Sequence, residues 1–415
     1  MEFYQAAVLF GAVCLIVALC ARAALPFFLA LVLGALFFAM LSRMTLPSIG
    51  DTFSLGFAQT IDSFGLFIIA GCAVSAFAEK SGAGLPGRWQ KSGAAVAVGL
   101  VASLASATPA LALLRPWCRG AGTRNIIILA LALSAGQAFI YPSLIVVATR
   151  AILKVDLIPV LAIGLTLAVA ASLTGWLFVR WMTPPEQDSE SGGTNIGVMI
   201  VPVLLPLIIL ILATFAQIPS EPFGRWCKEF FVFLSKPTIV FVLSLGLSLL
   251  ALKRFDKTVL SESGWLGGAL TASVRPLLAV GAAGGFVSVL QATGMAELIA
   301  ERISFLTLGI FVPFAAAAAM KILQGSSLVA TLTTAAMVEP LLAPLGLGSA
   351  GGHALAASAI GAGTLIAHVN DPFFWLVADV AGLSPLRTLT FYTLGTLLQA
   401  VSAVLLLWLF SGLQH

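Results

Sequence analysis

Charge is what this chain has least of. Asp, Glu, Lys and Arg make up 9% of its 415 residues while 60% are hydrophobic, against about 25% charged in a typical soluble domain. No aqueous fold hides that much apolar surface. The basic excess of +4 is small and spread along the connections, which excludes the concentrated basic face that nucleic-acid binding needs. Cysteine is sparse too: Cys14, Cys20 and Cys72 lie in apolar runs, and no CxxC spacing links them to Cys118 or Cys227. They read as small core residues, with neither a disulfide framework nor a metal site implied, and no cofactor is expected. The amino terminus lacks a basic n-region: Glu2 opens an apolar stretch that runs to Cys20 without a cleavage site, so a retained first helix is expected rather than a signal peptide. Polar and apolar residues do not alternate, which excludes a membrane β-barrel.

Long apolar runs are what remains. At about 20 residues per crossing plus a connection, roughly ten to twelve spanning helices fit, and an all-α polytopic membrane protein is expected. The runs fall near 5–21, 24–42, 61–79, 93–114, 125–149 and 155–182, then near 196–217, 230–252, 276–292, 304–323, 326–345, 353–377 and 388–411. Between the two sets lies a hydrophilic interruption, Thr183 to Asn195, with Pro184, Pro185, Glu186, Asp188 and Glu190. The chain therefore divides into a first membrane unit at 1–182, a polar linker at 183–195 and a second membrane unit at 196–415. An internal echo relates the halves: Phe67 to Gly82 resembles Ala279 to Gly294 at a constant offset. Each echo is followed by an interrupted helix, at Thr108–Pro109 and at Gln324 to Ser327. Corresponding interrupted segments in two halves point to a transporter binding site; chance similarity of two Gly- and Ala-rich helices is the plainer account. Arg and Lys flank segments at both ends, so orientation stays open.

Three interruptions carry candidate chemistry. Gln324, Gly325, Ser326 and Ser327 break an apolar run with a glycine and hydroxyls suited to an N-cap. A half-helix starting there would turn free N–H groups and the positive end of its dipole toward an anion. Ser327, Thr331 and Thr334 follow on one face of it, able to hold substrate hydroxyls or simply to pack and back-bond within the helix. In the first half, Thr108 before Pro109 has the form of an N-cap with proline at the first helical position, or of an ordinary proline kink. Tyr141, Pro142 and Ser143 make another break, following Gln137. The third cluster is His368, Asn370 and Asp371, before Pro372 and the run Phe373, Phe374, Trp375. A charge at mid-membrane depth costs about 2.5–3.5 kcal/mol, so such residues persist mostly where they face a site. The residue before proline avoids helical geometry, so Asp371 is expected where a helix ending near Ala367 unwinds. A histidine beside a carboxylate suits proton exchange, and Asn370 suits hydrogen bonding to substrate. The competing account is an interfacial turn with Trp375 at headgroup level. Asp62, Lys321 and Glu339 sit close enough to segment ends to snorkel, and His353 is expected in a solvated connection.

The stretch Gln324-Gly325-Ser326-Ser327-Leu328-Val329-Ala330, then Gly361-Ala362-Gly363 and His368-Val369-Asn370-Asp371 with Phe374-Trp375, resembles the gluconate permease family. The glycine-rich segment from Val280 to Ala300 is similar too, and the likeness is detailed from about Ala279 to Ser411. It implies an inner-membrane secondary carrier that imports sugar acids, or other small hydroxy or amino acids, with protons. It also implies two inverted repeats whose broken helices and re-entrant hairpins meet at mid-membrane. Two departures stand out: Tyr141-Pro142-Ser143 replaces a His-Pro-Gly-Pro segment, and Thr108-Pro109-Ala110 alters the earlier break.

The combined expectation is a proton symporter for a small organic anion, embedded in the lipid bilayer. Thr108, Tyr141, Ser143, Gln324, Gly325, Ser326, Ser327, Thr331 and Asn370 bind substrate, and His368 and Asp371 handle the proton. A homodimer would supply a fixed scaffold for the moving part. An intramembrane hydrolase built on Ser326, His368 and Asp371 is the alternative, against which stands the lack of a nucleophile elbow or paired aspartates. A channel would show conductance without saturable uptake.

Overall fold

A computed structural model describes residues 2–21, 25–80, 91–118, 121–183, 196–218, 224–253, 255–293 and 308–412, and no strand occurs among them. Helices satisfy every backbone group within the segment, which lipid demands of anything that spans it. Among the described residues, five helices are long and apolar enough to cross a membrane, six if the bent pair Gly224–Leu234 and Pro237–Leu252 is one span. A further six apolar helices of 10–17 residues accompany them. These elements make an all-α polytopic membrane protein, in which several of the apolar runs are broken. The polar linker, from 184 to 195, lies outside the described residues, as do the ends of the two echo segments beyond Lys80 and Thr293.

The outer surface is apolar and the packed seams are built from small residues. On Leu157–Met182, Ile158, Leu161, Leu165, Val169, Leu173 and Leu177 are exposed at helical spacing, while Gly164, Ala168, Ala171 and Gly175 are buried. The terminal helix Leu394–Gly412 repeats the arrangement, with Leu398, Val401, Leu405 and Leu409 outward and Gly395, Ala400 and Ala403 inward. Lipid is as apolar as leucine, so helices associate where small side chains let backbones approach. The longest helix, Leu46–Lys80, packs antiparallel on Trp265–Gln291 in this way. A methyl group on Gly56 would collide with the Gly284 carbonyl and Ser288, and Gly65 lies against Leu277.

Several segment limits differ from the sequence reading. The run near 61–79 begins at Leu46, because polar residues such as Asp51, Gln59 and Asp62 are carried on a helix of 35 residues. At about 1.5 Å per residue that is roughly 52 Å, well beyond the ~30 Å hydrocarbon layer, so polar positions fit on it. The run near 276–292 begins at Trp265 and carries Pro276 inside it. The run near 93–114 breaks into Ser92–Ala102, a tight turn at Ser103–Ala105, and Ala107–Leu113. The run near 353–377 ends its first helix at Gly363, not at Ala367, and resumes at Pro372–Val380. His353 lies inside Ala350–Gly363 and is half-buried, not in a solvated connection.

Each half holds a long helix followed by a broken one. Leu46–Lys80 precedes Ser92–Ala102 and Ala107–Leu113, and Trp265–Gln291 precedes Phe311–Gln324 and Ser327–Val338. The short helices after the breaks pair across the halves: Ser327–Val338 packs on Leu144–Leu153, and Pro372–Val380 packs on Ala107–Leu113.

Candidate functional site

Gly325 has φ +64° and closes Phe311–Gln324, its N–H bonding to the Lys321 carbonyl at 2.9 Å. The chain turns there, and Ser326 caps the next helix, its Oγ accepting from the Val329 N–H at 3.4 Å. The half-helix expected at Ser326 therefore starts there. Glycine is required: a Cβ at Gly325 would lie 2.4 Å from Val287 Cγ2 and 2.5 Å from the Asn370 carbonyl oxygen. Those contacts bring the second break alongside the first.

Residues 364–371 form the unwound segment expected ahead of Pro372. Asp371 caps Pro372–Val380, with Oδ1 accepting from the Phe373 N–H at 2.8 Å. Trp375 is fully buried and donates its indole N–H to the Val369 carbonyl at 2.6 Å, so it fastens the unwound strand from inside rather than sitting at headgroup level. Asn370 Nδ2 donates to the Ile322 carbonyl, and His368 Nε2 lies 3.1 Å from the same oxygen. A carbonyl only accepts, so this contact is a hydrogen bond in the tautomer that carries its proton on Nε2. The Asn370 Oδ1, His368 Nδ1 and Gln324 Oε1 atoms are buried with no partner among the described residues.

Lys321 overturns its assignment to the interface. It is 2% exposed, and its Nζ lies 2.6 Å from Asp371 Oδ2 and 2.8 Å from the Gly325 carbonyl oxygen. Buried charges require a partner of this kind. Asp62 is exposed, and Glu339 meets Lys154 at 3.3 Å on the surface.

In the first half the cap is Ser106, not Thr108. Ser106 has φ +70°, and Thr108 and Pro109 lie in the first turn of the helix that begins at Ala107, a place where proline's missing N–H does no harm. A non-glycine residue at positive φ stores about 1–3 kcal/mol of strain and is typical of functional sites. The Ala107 N–H, which Ser106 leaves free, donates to Gln137 Oε1 at 3.1 Å.

These ends meet around a cavity of about 310 Å³, at the lower end of the roughly 300–1,000 Å³ of small-molecule sites. Its polar lining comes from Ser63, Ser106, Thr108, Ser134, Gln137, Lys321, Ser326, Ser327, Thr364, Asp371 and Tyr392. Ser63 and Phe64 stand midway along Leu46–Lys80, which sets the cavity halfway along the longest helix. The starts of Leu144–Leu153, Ser327–Val338 and Pro372–Val380 all border it. Each helix start carries roughly +0.5 of a charge in unsatisfied N–H groups, while Lys321 and Asp371 cancel each other. The cavity therefore favours an anion.

Of the residues named from sequence, Thr108, Gly325, Ser326, Ser327 and Asp371 border this cavity. Tyr141 does not: its ring lies under the Arg150 guanidinium, 5.8 Å away. Ser143 caps the Leu144 helix and borders a smaller adjoining cavity of about 120 Å³, shared with Ser103, Ser106 and Gln137. Gln324 bonds Thr333 at 3.3 Å, and Thr331 returns its hydroxyl to the Ser327 carbonyl at 2.7 Å. His368 and Asn370 lie behind the cavity wall, against Ile322. Ser326, His368 and Asp371 form no hydrolytic relay, since each is engaged elsewhere. Sequence reasoning missed Ser63, Ser106, Ser134, Thr364 and Tyr392. Ser134 is a lone polar residue three before Gln137, a signal that was available; its Oγ lies 2.9 Å from the Tyr392 hydroxyl.

The GntP family permease profile matches residues 121–413. The chain belongs to that family. The low-affinity gluconate transporter of Escherichia coli (strain K12) is 28% identical over 95% of each chain. The gluconate permease of Pseudomonas aeruginosa is 32% identical over 59% of this chain and 56% of its own. The Gnt-II system L-idonate transporter of Escherichia coli (strain K12) is 26% identical over 58% of this chain and 56% of its own. This GntP-family chain is a multi-pass protein of the inner membrane, and a transporter rather than an enzyme.

Proposed function

We propose that the chain is a secondary carrier that imports a sugar acid together with a proton. The observation that carries this is the cavity where helix starts converge on a neutral Lys321–Asp371 pair, with hydroxyls around the rest of its wall. A sugar acid is a carboxylate on a polyol. The helix starts suit the carboxylate, and Ser63, Ser106, Thr108, Ser134, Ser326, Ser327, Gln137 and Tyr392 suit the hydroxyls. Relatives named for gluconate and L-idonate support this substrate class. Asp371 is the cavity-lining group able to take the proton, with His368 beside it on the same unwound segment.

The two membrane units form inverted repeats, with re-entrant elements meeting at the cavity, and the connection at 183–195 separates them. Support comes from the broken helix that follows a long one in each half and from the crossing of Leu46–Lys80 with Trp265–Gln291. Gly65 meets Leu277 there, and the offset that relates Gly82 to Gly294 relates those two positions as well. Equivalent residues facing each other on antiparallel helices suit a two-fold axis in the membrane plane. Alternating access then moves one group of helices against the other. A homodimer would provide the fixed part, and the exposed aromatic face of Gly224–Leu234, with Trp226, Phe230 and Phe233, is the surface to test by crosslinking.

The test is uptake of radiolabelled gluconate and L-idonate into proteoliposomes under an imposed inward proton gradient. Saturable uptake that collapses with a protonophore is expected. Conductance without saturation, or no uptake of any small carboxylate by a folded sample, overturns the proposal.

A further inference from the structure

Lys321 and Asp371 are the only charged side chains among the buried described residues. The ammonium has three donors: one goes to Asp371 Oδ2 at 2.6 Å, one to the Gly325 carbonyl at 2.8 Å, and a third remains. Both residues border the cavity. We infer that Lys321 is the residue that binds the substrate carboxylate, and that Asp371 occupies it in the empty carrier until Asp371 takes a proton. This rests on the proposal that the cargo is a small carboxylate.

The argument is charge balance in a site where water is scarce. An ionised Asp371 and a substrate carboxylate are chemically alike, and one ammonium cannot neutralise both. Binding the anion to the closed pair buries a net negative charge. Protonating Asp371 at Oδ2 removes the competitor, frees Lys321 and leaves anion, ammonium and neutral acid summing to zero. Asp371 Oδ1 keeps the Phe373 N–H throughout, so the helix cap survives protonation. The empty carrier is neutral at this pair, and so is the fully loaded one. Anion without proton, or proton without anion, leaves one buried charge uncompensated, which is costly. The two neutral states are therefore the ones suited to crossing, which ties one proton to one anion.

The groups facing Asp371 fit this assignment. Lys321 comes from Phe311–Gln324. His368, on the unwound segment, is turned to the Ile322 carbonyl. The Tyr392 hydroxyl meets Ser134. Asp379, at the far end of Pro372–Val380, is paired with Arg115 at 2.7 Å. Arg275, from the helix packed against Pro372–Val380, lies exposed with its guanidinium over the Phe27 ring at 4.9 Å.

The test is equilibrium binding of labelled gluconate, then of a panel of hydroxy and amino acids, to the purified full-length protein from about pH 5.5 to about pH 8. Wild-type affinity is expected to weaken about tenfold per pH unit wherever Asp371 is ionised in the free carrier. Asp371→Asn removes the competitor, so it should bind with a pH-independent affinity and lose acceleration of uptake by a proton gradient. Lys321→Gln should lose at least about 30-fold in affinity at every pH. Single variants leave one buried charge unpaired, so the double variant Lys321→Met, Asp371→Leu is the folding control: it should keep a cooperative thermal transition and bind no carboxylate. Wild-type pH dependence in Asp371→Asn, or wild-type affinity in Lys321→Gln or the folded double variant, overturns the assignment while leaving the carrier intact. If the wild type binds no carboxylate in the panel, both fall.

Discussion

Replacing Gly325 with alanine tests the turn that joins the two breaks. Its φ of +64° is a conformation L-residues adopt at a cost of about 1–2 kcal/mol. The added methyl would also stand 2.4 Å from Val287 Cγ2 and 2.5 Å from the Asn370 carbonyl oxygen. Overpacking of that kind adds about 1–3 kcal/mol. The Val287 side chain can rotate away, but the Asn370 oxygen is backbone in the unwound segment and moves only with Asp371. Together the penalties come to about 2–5 kcal/mol, and the displacement acts directly on the Lys321–Asp371 contact. Gly346 is the internal control: its φ is +75° with nothing within 4 Å of an added Cβ, so Gly346→Ala should cost only the backbone part. Thermal unfolding of both variants in detergent, with gluconate binding measured beside it, makes the comparison. Gly325→Ala should be the less stable by about 1–3 kcal/mol and should lose most of its binding, while Gly346→Ala keeps it. Equal destabilisation, or wild-type binding by Gly325→Ala, would refute the claim that close packing at this turn holds the site together.

Ser326→Ala removes a cap whose bond is long at 3.4 Å, so a stability loss of about 0.5–1 kcal/mol is expected, along with a raised KM for uptake if this hydroxyl meets substrate. Arg115→Ala exposes Asp379 from a half-buried pair at 2.7 Å and should cost about 2–3 kcal/mol. Lys154→Ala, from the exposed pair with Glu339 at 3.3 Å, should cost under about 1 kcal/mol; thermal denaturation at matched pH and salt compares the two. Tyr392→Phe gives up one hydrogen bond to Ser134, whose hydroxyl keeps the Ala130 carbonyl at 3.0 Å. The loss should be near about 0.5 kcal/mol, and competition assays with sugar acids of different hydroxyl configuration should reveal a changed preference.

What was legible in the sequence was local. Scarcity of charge and the length of apolar runs give an all-helical membrane protein, because lipid leaves the backbone few other ways to satisfy its hydrogen bonds. A glycine followed by two serines gives the turn at Gly325 and the cap at Ser326, and a proline gives the unwinding at Asp371, because steric demands on φ and ψ act between neighbours in the chain. The family likeness rests on those same short motifs. Partnership was not legible. Nothing near Lys321 in sequence announces that its ammonium meets a carboxylate fifty positions later, and the short distance to a segment end argued for snorkelling instead. The sequence left open an interfacial turn with Trp375 at headgroup level, whereas its indole closes on Val369 inside the fold. Ser106 took the cap expected of Thr108, with Gln137 from another helix satisfying the first N–H of that turn. The sequence by itself determined the class of protein and where its helices break. Only the tertiary structure decided which breaks face one another and which charges are paired, because those outcomes depend on contacts between residues far apart in the chain, and no local rule of backbone or composition encodes them.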